Sequence, residues 1–195
     1  MSNSDAVKEK EKLILDAGCK IFSERSFHEV RMQEIADFAG VGKGTIYEYF
    51  SSKEDLLNRI FKMGVKEYQK QINFKEIKGK DIWETLENHL MAHVEYLWDN
   101  KEIGRLMINS NHPFQKRIKD WMVDIRENFI RDLEQEFEEA KIKGEIKEAN
   151  PVLAAKIFRG VMIEVISPQI IIEGKRPEKD EIKETITILK EGLKK

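Results

Sequence analysis

The chain has one cysteine in 195 residues, Cys19. An internal disulfide and a multi-cysteine metal site are therefore excluded. Cys19 falls in a helical stretch and reads as a small, buried or half-buried residue rather than a nucleophile. There are only 4 prolines, so few points break a helix. No apolar run approaches the ~18 residues of a membrane span. The opening "MSNSDAVKEKEK" is polar and carries no signal peptide, which makes the cytoplasm the expected location. An excess of positive charge is missing too: the formal net charge is −2. Residues 1–55 hold 8 Lys/Arg against 11 Asp/Glu. Any binding of nucleic acid must come from a local basic face and a few placed phosphate contacts.

What is present is 41% hydrophobic and 36% charged residues, in patterns with helical spacing. That predicts an all-α chain of about nine helices, long enough for a sizeable core. The first helix runs from about Asp5 to Ser26, with Leu13, Ile14, Ala17, Ile21 and Phe22 as its apolar stripe. Short helices come next at about Met32–Phe38 and Lys43–Tyr49. "SSKEDLL" then opens a fourth, with a serine cap and Glu54 and Asp55 in its first turn, continuing to about Gln71. The segment "NFKEIKGKD", residues 73–81, reads as a boundary.

The stretch "AGVGKGTIYEYF", residues 39–50, poses the functional question. A phosphate loop of the form G-x-x-x-x-G-K-[ST] would place a glycine at 37, where the chain has Asp37. It would place a hydroxyl after the lysine, where the chain has Gly44. It would also come after a strand, whereas Met32, Ile35, Ala36 and Ala39 are spaced as a helix. Helix, glycine turn, helix is the spacing of a helix-turn-helix. The short second helix is rich in small and hydroxyl residues, a poor choice for a bundle and a good one for approaching a phosphate backbone.

Residues 13–57, "LILDAGCKIFSERSFHEVRMQEIADFAGVGKGTIYEYFSSKEDLL", resemble the DNA-binding domain of the TetR family of transcriptional regulators. The pattern "F-x-E-x-x-F", "IA-x-x-AGV", "KGT-I-Y-x-YF" and "SKEDLL" carries the likeness over about a quarter of the chain. Gly42 and Arg31 stand where the family usually has hydroxyl residues. The resemblance implies contacts to DNA from Arg31, Lys43, Gly44, Thr45, Tyr47, Tyr49 and Lys53. Lys43 would reach a base edge or phosphate, and Gly44 would let the helix enter the major groove closely. Thr45 and Tyr47 would bind phosphates, Tyr49 the backbone or a thymine methyl, and Lys53 and Arg31 further phosphates. It also implies a domain at 1–55, helix four (about 52–71) as connector, and a ligand-binding and dimerisation domain at 72–195.

The C-terminal part reads as helices throughout. Ile82, Leu86, Leu90, Val94 and Leu97 form one stripe. "KEIGRLMINSN" is a short helix, and a long one starts at His112-Pro113 and carries Trp121, Ile125, Phe129, Leu133 and Phe137. A helix from about Pro151 to Glu173 is apolar on most sides and must be buried on two, with Pro168 kinking or interrupting it. The last helix starts at Pro177. The family resemblance assigns the final two helices to a homodimer interface, with Phe158, Val161, Val165, Ile182, Ile186 and Leu189 on it. Facing stripes place Leu90, Trp121, Ile125, Phe129, Phe158 and Met162 around a candidate ligand pocket, with Glu164 as its candidate carboxylate. "GEIKEANPVLAAKIFRGVMIEVI" is similar to regulators of fatty-acid metabolism that respond to acyl-CoA. An acyl ligand's charged head would need a cation, for which Arg105, Arg117, Arg126 and Arg159 are candidates. A lipophilic cation with Glu164 or Glu95 as counter-charge is the opposite option.

Catalysis is not expected, because no nucleophile elbow, metalloprotease helix, dinucleotide fingerprint or Cys–His pair is present. No cofactor or metal is expected. His89 and His93 lie one helical turn apart but lack a third ligand fixed in sequence, and read as ordinary half-buried histidines. The sequence thus points to a ligand-responsive homodimeric repressor that binds palindromic operator DNA, with double-stranded DNA and a small hydrophobic ligand as partners and no membrane. A helical interaction protein without DNA binding is the alternative.

Overall fold

The computed structural model describes residues 3–73, 75–108, 114, 116–146 and 149–193. Among these the regular elements are all helical: α1 (Asn3–Glu24), α2 (Met32–Phe38), α3 (Lys43–Tyr49), α4 (Lys53–Gln71), α5 (Ile82–Asp99), α6 (Lys101–Ile108), α7 (Lys116–Ile142), α8 (Pro151–Gly160), a π-helical turn (Val161–Ile166), α9 (Ser167–Ile171) and α10 (Lys179–Leu193). The segment expected as one helix from Pro151 is thus three consecutive parts, and the expected start of the long helix at His112-Pro113 lies outside the described residues. The chain forms two compact units. One comprises Met1–Glu67 with Glu102–Ile118, and the other Tyr68–Lys101 with Lys119–Lys195.

The first unit is built on α1, whose Ile14, Ala17 and Phe22 are buried, as are Ile35 and Ala36 of α2, Ile46 of α3 and Leu56 and Ile60 of α4. Local chemistry sets the connection between α2 and α3. Gly40 has φ +68°, which only glycine adopts without steric cost. Its N–H donates to Asp37 O (3.2 Å), and the Val41 N–H donates to Ala36 O (2.9 Å). These are the two bonds of a Schellman cap, which stops α2 and redirects the chain. α6 belongs to the same unit: a Cβ on Gly64 of α4 would lie 2.6 Å from Ile103 Cγ2, so glycine is what permits their approach.

In the second unit, α5 starts with Asp81, whose carboxylate accepts from the Glu84 N–H at 2.8 Å, while Glu145 Oε2 accepts from the Ile82 N–H at 2.7 Å. α5 packs against α9 and α10. α8 opens with Asn150 as N-cap and Pro151 in its first turn, where a missing N–H costs nothing. The expected break at Pro168 appears as the π-helical turn just before it. Proline has no N–H to give, neither to the Glu164 carbonyl in an α register nor to the Ile163 carbonyl in a π register, so the ladder has a gap at Pro168 either way. The last helix begins two residues beyond Pro177, which is itself buried.

Candidate nucleic-acid interface

α2 and α3 pack on each other and α2 on α1. Their buried residues point inward and leave a polar outer surface. Arg31 is the N-cap of α2. Its side chain has no acceptor, so half a capping box forms: the Arg31 N–H donates to Glu34 Oε2 at 2.8 Å. The Arg31 guanidinium itself is on the exposed surface. Arg25 Nη1 holds the other Glu34 oxygen at 3.3 Å. The bond from Arg31 N–H, and after it Arg25, keeps the Glu34 carboxyl below its ordinary pKa.

α3 carries the features that suit an external partner. Lys43 and Gly44 are exposed and Tyr47 is 48% exposed, while Ile46 is fully buried and anchors the helix. Gly42 provides no side-chain cap. A Cβ on Gly44 would meet nothing within 4 Å, and one on Gly42 only Thr45 Oγ1 at 3.8 Å. Internal packing therefore does not require glycine at either position. Thr45 and Tyr49 are half-buried, Tyr49 with its ring 6.4 Å from that of Phe50.

Lys53 is placed differently from the expected phosphate ligand. Its ammonium donates to Phe27 O (2.6 Å) and Val30 O (2.7 Å) and lies 4.3 Å from the centre of the Phe27 ring. Two of its three protons fasten the α1–α2 turn. The sequence signal was present, since carbonyls at a turn attract a cation, but the 23 to 26 residues between the partners hid the pairing. Cys19 is half-buried, and burial first, then Glu102 and Asp16, push its thiol up to about 12. Both effects favour the neutral thiol over the thiolate, the form that acts as a nucleophile.

The other expected sites also resolve residue by residue. Leu90, Phe158 and Met162 are sealed in the interior of the second unit, whereas Trp121, Ile125 and Phe129 are half-buried. Glu164 is exposed, which removes it as an interior carboxylate. Of the expected dimer residues, Phe158, Ile182 and Ile186 face the protomer's own core at 1%, 0% and 5% exposure. This corrects their placement: a fully buried side chain cannot meet a partner. Val165 is exposed and Val161 and Leu189 are half-buried, and Leu153, Ile157 and Ile188 are exposed as well. The helical spacing identified the helices but not which of two apolar faces turned outward. His93 is engaged at both ring nitrogens. Its Nδ1 lies 2.8 Å from Tyr68 Oη, and its Nε2 lies 2.9 Å from Ser167 Oγ and 3.1 Å from Met162 O.

One long helix, two short ones joined by a Schellman turn, and an exposed outer face on the third helix make this a helix-turn-helix DNA-binding domain. Residues 14–60 match the family of bacterial regulatory proteins, tetR family. That match covers the N-terminal domain, and with the relatives below it makes the chain a TetR-type transcriptional regulator with a DNA-binding helix-turn-helix. Over 158 residues it is 26% identical to the HTH-type transcriptional regulator YhgD of Bacillus subtilis strain 168, covering 81% of this chain and 83% of the relative. Over 164 residues it is 26% identical to the fatty acid metabolism regulator protein of the same organism, covering 83% and 84%. Among solved structures, the Bacillus subtilis regulator FadR in complex with stearoyl-CoA shares the fold with a TM-score of 0.74 at 23% identity, covering 91% of this chain and 96% of that one.

Proposed function

We propose that the protein is a homodimeric repressor that binds a palindromic operator through Arg31, Lys43, Gly44, Thr45, Tyr47 and Tyr49 and is released by a long-chain acyl effector. A palindrome is the consequence of twofold symmetry, with half-sites one helical turn or a multiple of it apart. The observation that carries the effector is on α7. Leu133, Phe137 and Ala140 in its second half are buried. Trp121, Met122, Ile125, Phe129 and Ile130 in its first half are all half-buried. An apolar helix face of that size left partly uncovered suits an apolar ligand. The likeness to a fatty acid metabolism regulator supports the chemistry of an acyl chain.

Of the four candidate arginines, Arg159 fits the ligand's charged head best. It is half-buried, and burial first, then the Arg126 guanidinium, disfavour its charge. An anion placed between them would relieve both effects. The side chain of Arg117 lies outside the described residues. A cationic effector loses support because Glu164 is exposed and Glu95 is held by Arg176. Release would be a population shift, with the effector preferring the DNA-incompetent state by a few kcal/mol.

The test starts from DNA selected from a random pool. Stearoyl-CoA should dissociate the complex at micromolar concentration, and Arg159→Gln should raise the concentration needed about tenfold or more. Release by a lipophilic cation in place of stearoyl-CoA would reverse the effector assignment. Failure to select any DNA sequence would remove the repressor.

A further inference from the structure

Three polar side chains meet in the apolar interior of the second unit. His93 and Ser167 are 1% and 3% exposed. The Tyr68 ring is half-buried, and burial of its hydroxyl pushes that group's pKa well up, so it stays protonated. We propose that Tyr68, His93 and Ser167 form a latch between the last turn of α4 and the π-helical turn, so that the register of residues 161–166 and the position of the α4 end change together. Tyr68 is then a positioning residue for DNA binding, because α4 is one continuous helix from Lys53 to Gln71.

The directions of the hydrogen bonds interlock. Ser167 Oγ donates to Met162 O at 2.8 Å. The Ser167 oxygen and the Met162 carbonyl are then acceptors for one imidazole proton, which places that proton on Nε2. Nδ1 is left with a lone pair, and the Tyr68 hydroxyl donates to it at 2.8 Å. The imidazole is neutral, its pKa pushed down to about 4 by burial. Removing any one member reverses or orphans the next.

The π register is part of the chain of bonds. The Ser167 N–H also donates to Met162 O, five residues back. In an α register that N–H would turn to the carbonyl of Ile163. The one-residue difference rotates the helix beyond it by about 100°, which carries the Ser167 side chain away from His93. Pro168 comes immediately after and has no N–H with which to restore the ladder. Ser167 is therefore the last main-chain and side-chain donor before the gap, and His93 reads its position. π-helical turns of this length are uncommon and concentrate at sites of function.

The latch stands independently of the effector. Tyr68→Phe and Ser167→Ala each remove one hydroxyl and little volume, and Ser167→Thr keeps the hydroxyl. Amide hydrogen exchange is measured for each, with α10 as internal reference. Tyr68→Phe should speed exchange across residues 161–171 at least tenfold. Ser167→Ala should do the same in residues 68–72, on the other side of the network, and Ser167→Thr should restore wild-type rates. Tyr68→Phe should also weaken binding to the selected DNA at least fivefold. The latch is overturned if each substitution loosens only its own helix, or if α10 accelerates equally. Wild-type DNA affinity in Tyr68→Phe overturns its positioning role. A wild-type chain that binds no DNA would overturn the proposed function instead, with exchange still deciding the latch.

Discussion

Lys53 and Lys43 have the same charge and are ten residues apart, yet the structure surrounds them differently. Lys43 is exposed, and a specific contact of a lysine with a base edge is worth about 1–3 kcal/mol. Lys43→Ala should weaken DNA binding by that amount, leave the melting temperature unchanged, and lower the salt dependence of binding by about one charge. Fluorescence anisotropy at two salt concentrations measures both effects, and wild-type affinity would dismiss α3 as the reading helix. The Lys53 ammonium is bonded to Phe27 O and Val30 O. Hydrogen bonds to a charged group contribute about 1.5–3 kcal/mol each when well made, and part-burial keeps water from replacing them. Lys53→Met keeps the aliphatic stem and should lower folding stability by about 1–3 kcal/mol in urea titration. Unchanged stability with weaker DNA binding would return Lys53 to the phosphate.

At the level of elements, α2, α3 and the turn between them were legible in the sequence because local rules decide them. Gly40 needs a positive φ, and Met32, Ile35 and Ala36 give the burial face. Gly40 and Gly44 act through different physics, and substitution separates them. Gly40→Ala places a Cβ at φ +68° and should cost about 1–2 kcal/mol of stability. Gly44→Ala meets no atom within 4 Å inside the protein, and alanine favours a helix interior over glycine by about 1 kcal/mol. Gly44→Ala should therefore fold at least as stably as wild type while binding DNA more weakly. Retained affinity in Gly44→Ala would deny that α3 approaches DNA closely. The region around α8 was less legible. Pro168 announced a break, but not that a π-helical turn would precede it. That outcome involves His93, 74 residues before Ser167, and through it Tyr68, a pairing that no local pattern connects. The same holds for the outward face of the final helices. Phe158, Ile182 and Ile186 repeat with the correct period, and period alone does not distinguish a protomer's core from its partner's surface.

For the whole molecule, two properties arise from the placement of side chains, one from exposed apolar surface and one from buried histidine. Leu153, Ile157, Val165 and Ile188 are large apolar side chains exposed on α8, the π-helical turn and α10, and the proposed homodimer would bury them, as interfaces bury contiguous apolar surface. Ile157→Glu combined with Val165→Glu should convert a dimer into a monomer in sedimentation velocity at micromolar concentration. A wild-type monomer there would discard the palindrome as well. The second property is acid sensitivity. His89 and His93 are 0% and 1% exposed, and burial pushes their pKa values down to about 3 and about 4. In the unfolded chain each takes up a proton near pH 6.5. Between that pH and the folded value the unfolded state binds more protons, so stability falls as pH falls. The slope approaches about 1.4 kcal/mol per pH unit for each histidine, which amounts to about 4 kcal/mol for the pair between pH 7 and pH 5. Glu24 and Glu34, whose carboxyl pKa values are both lowered in the folded state, add a loss of the same sign, but mainly below the window, as pH falls through the unfolded carboxylate value of about 4.3. Urea titration at pH 7, 6 and 5 measures the loss. His89→Leu should remove about half of the slope whatever it does to the absolute stability. A free energy of unfolding that stays constant from pH 7 to pH 5 would mean that the two imidazoles are hydrated or paired with a carboxylate, and the sealed interior around His93 would have to be abandoned with it.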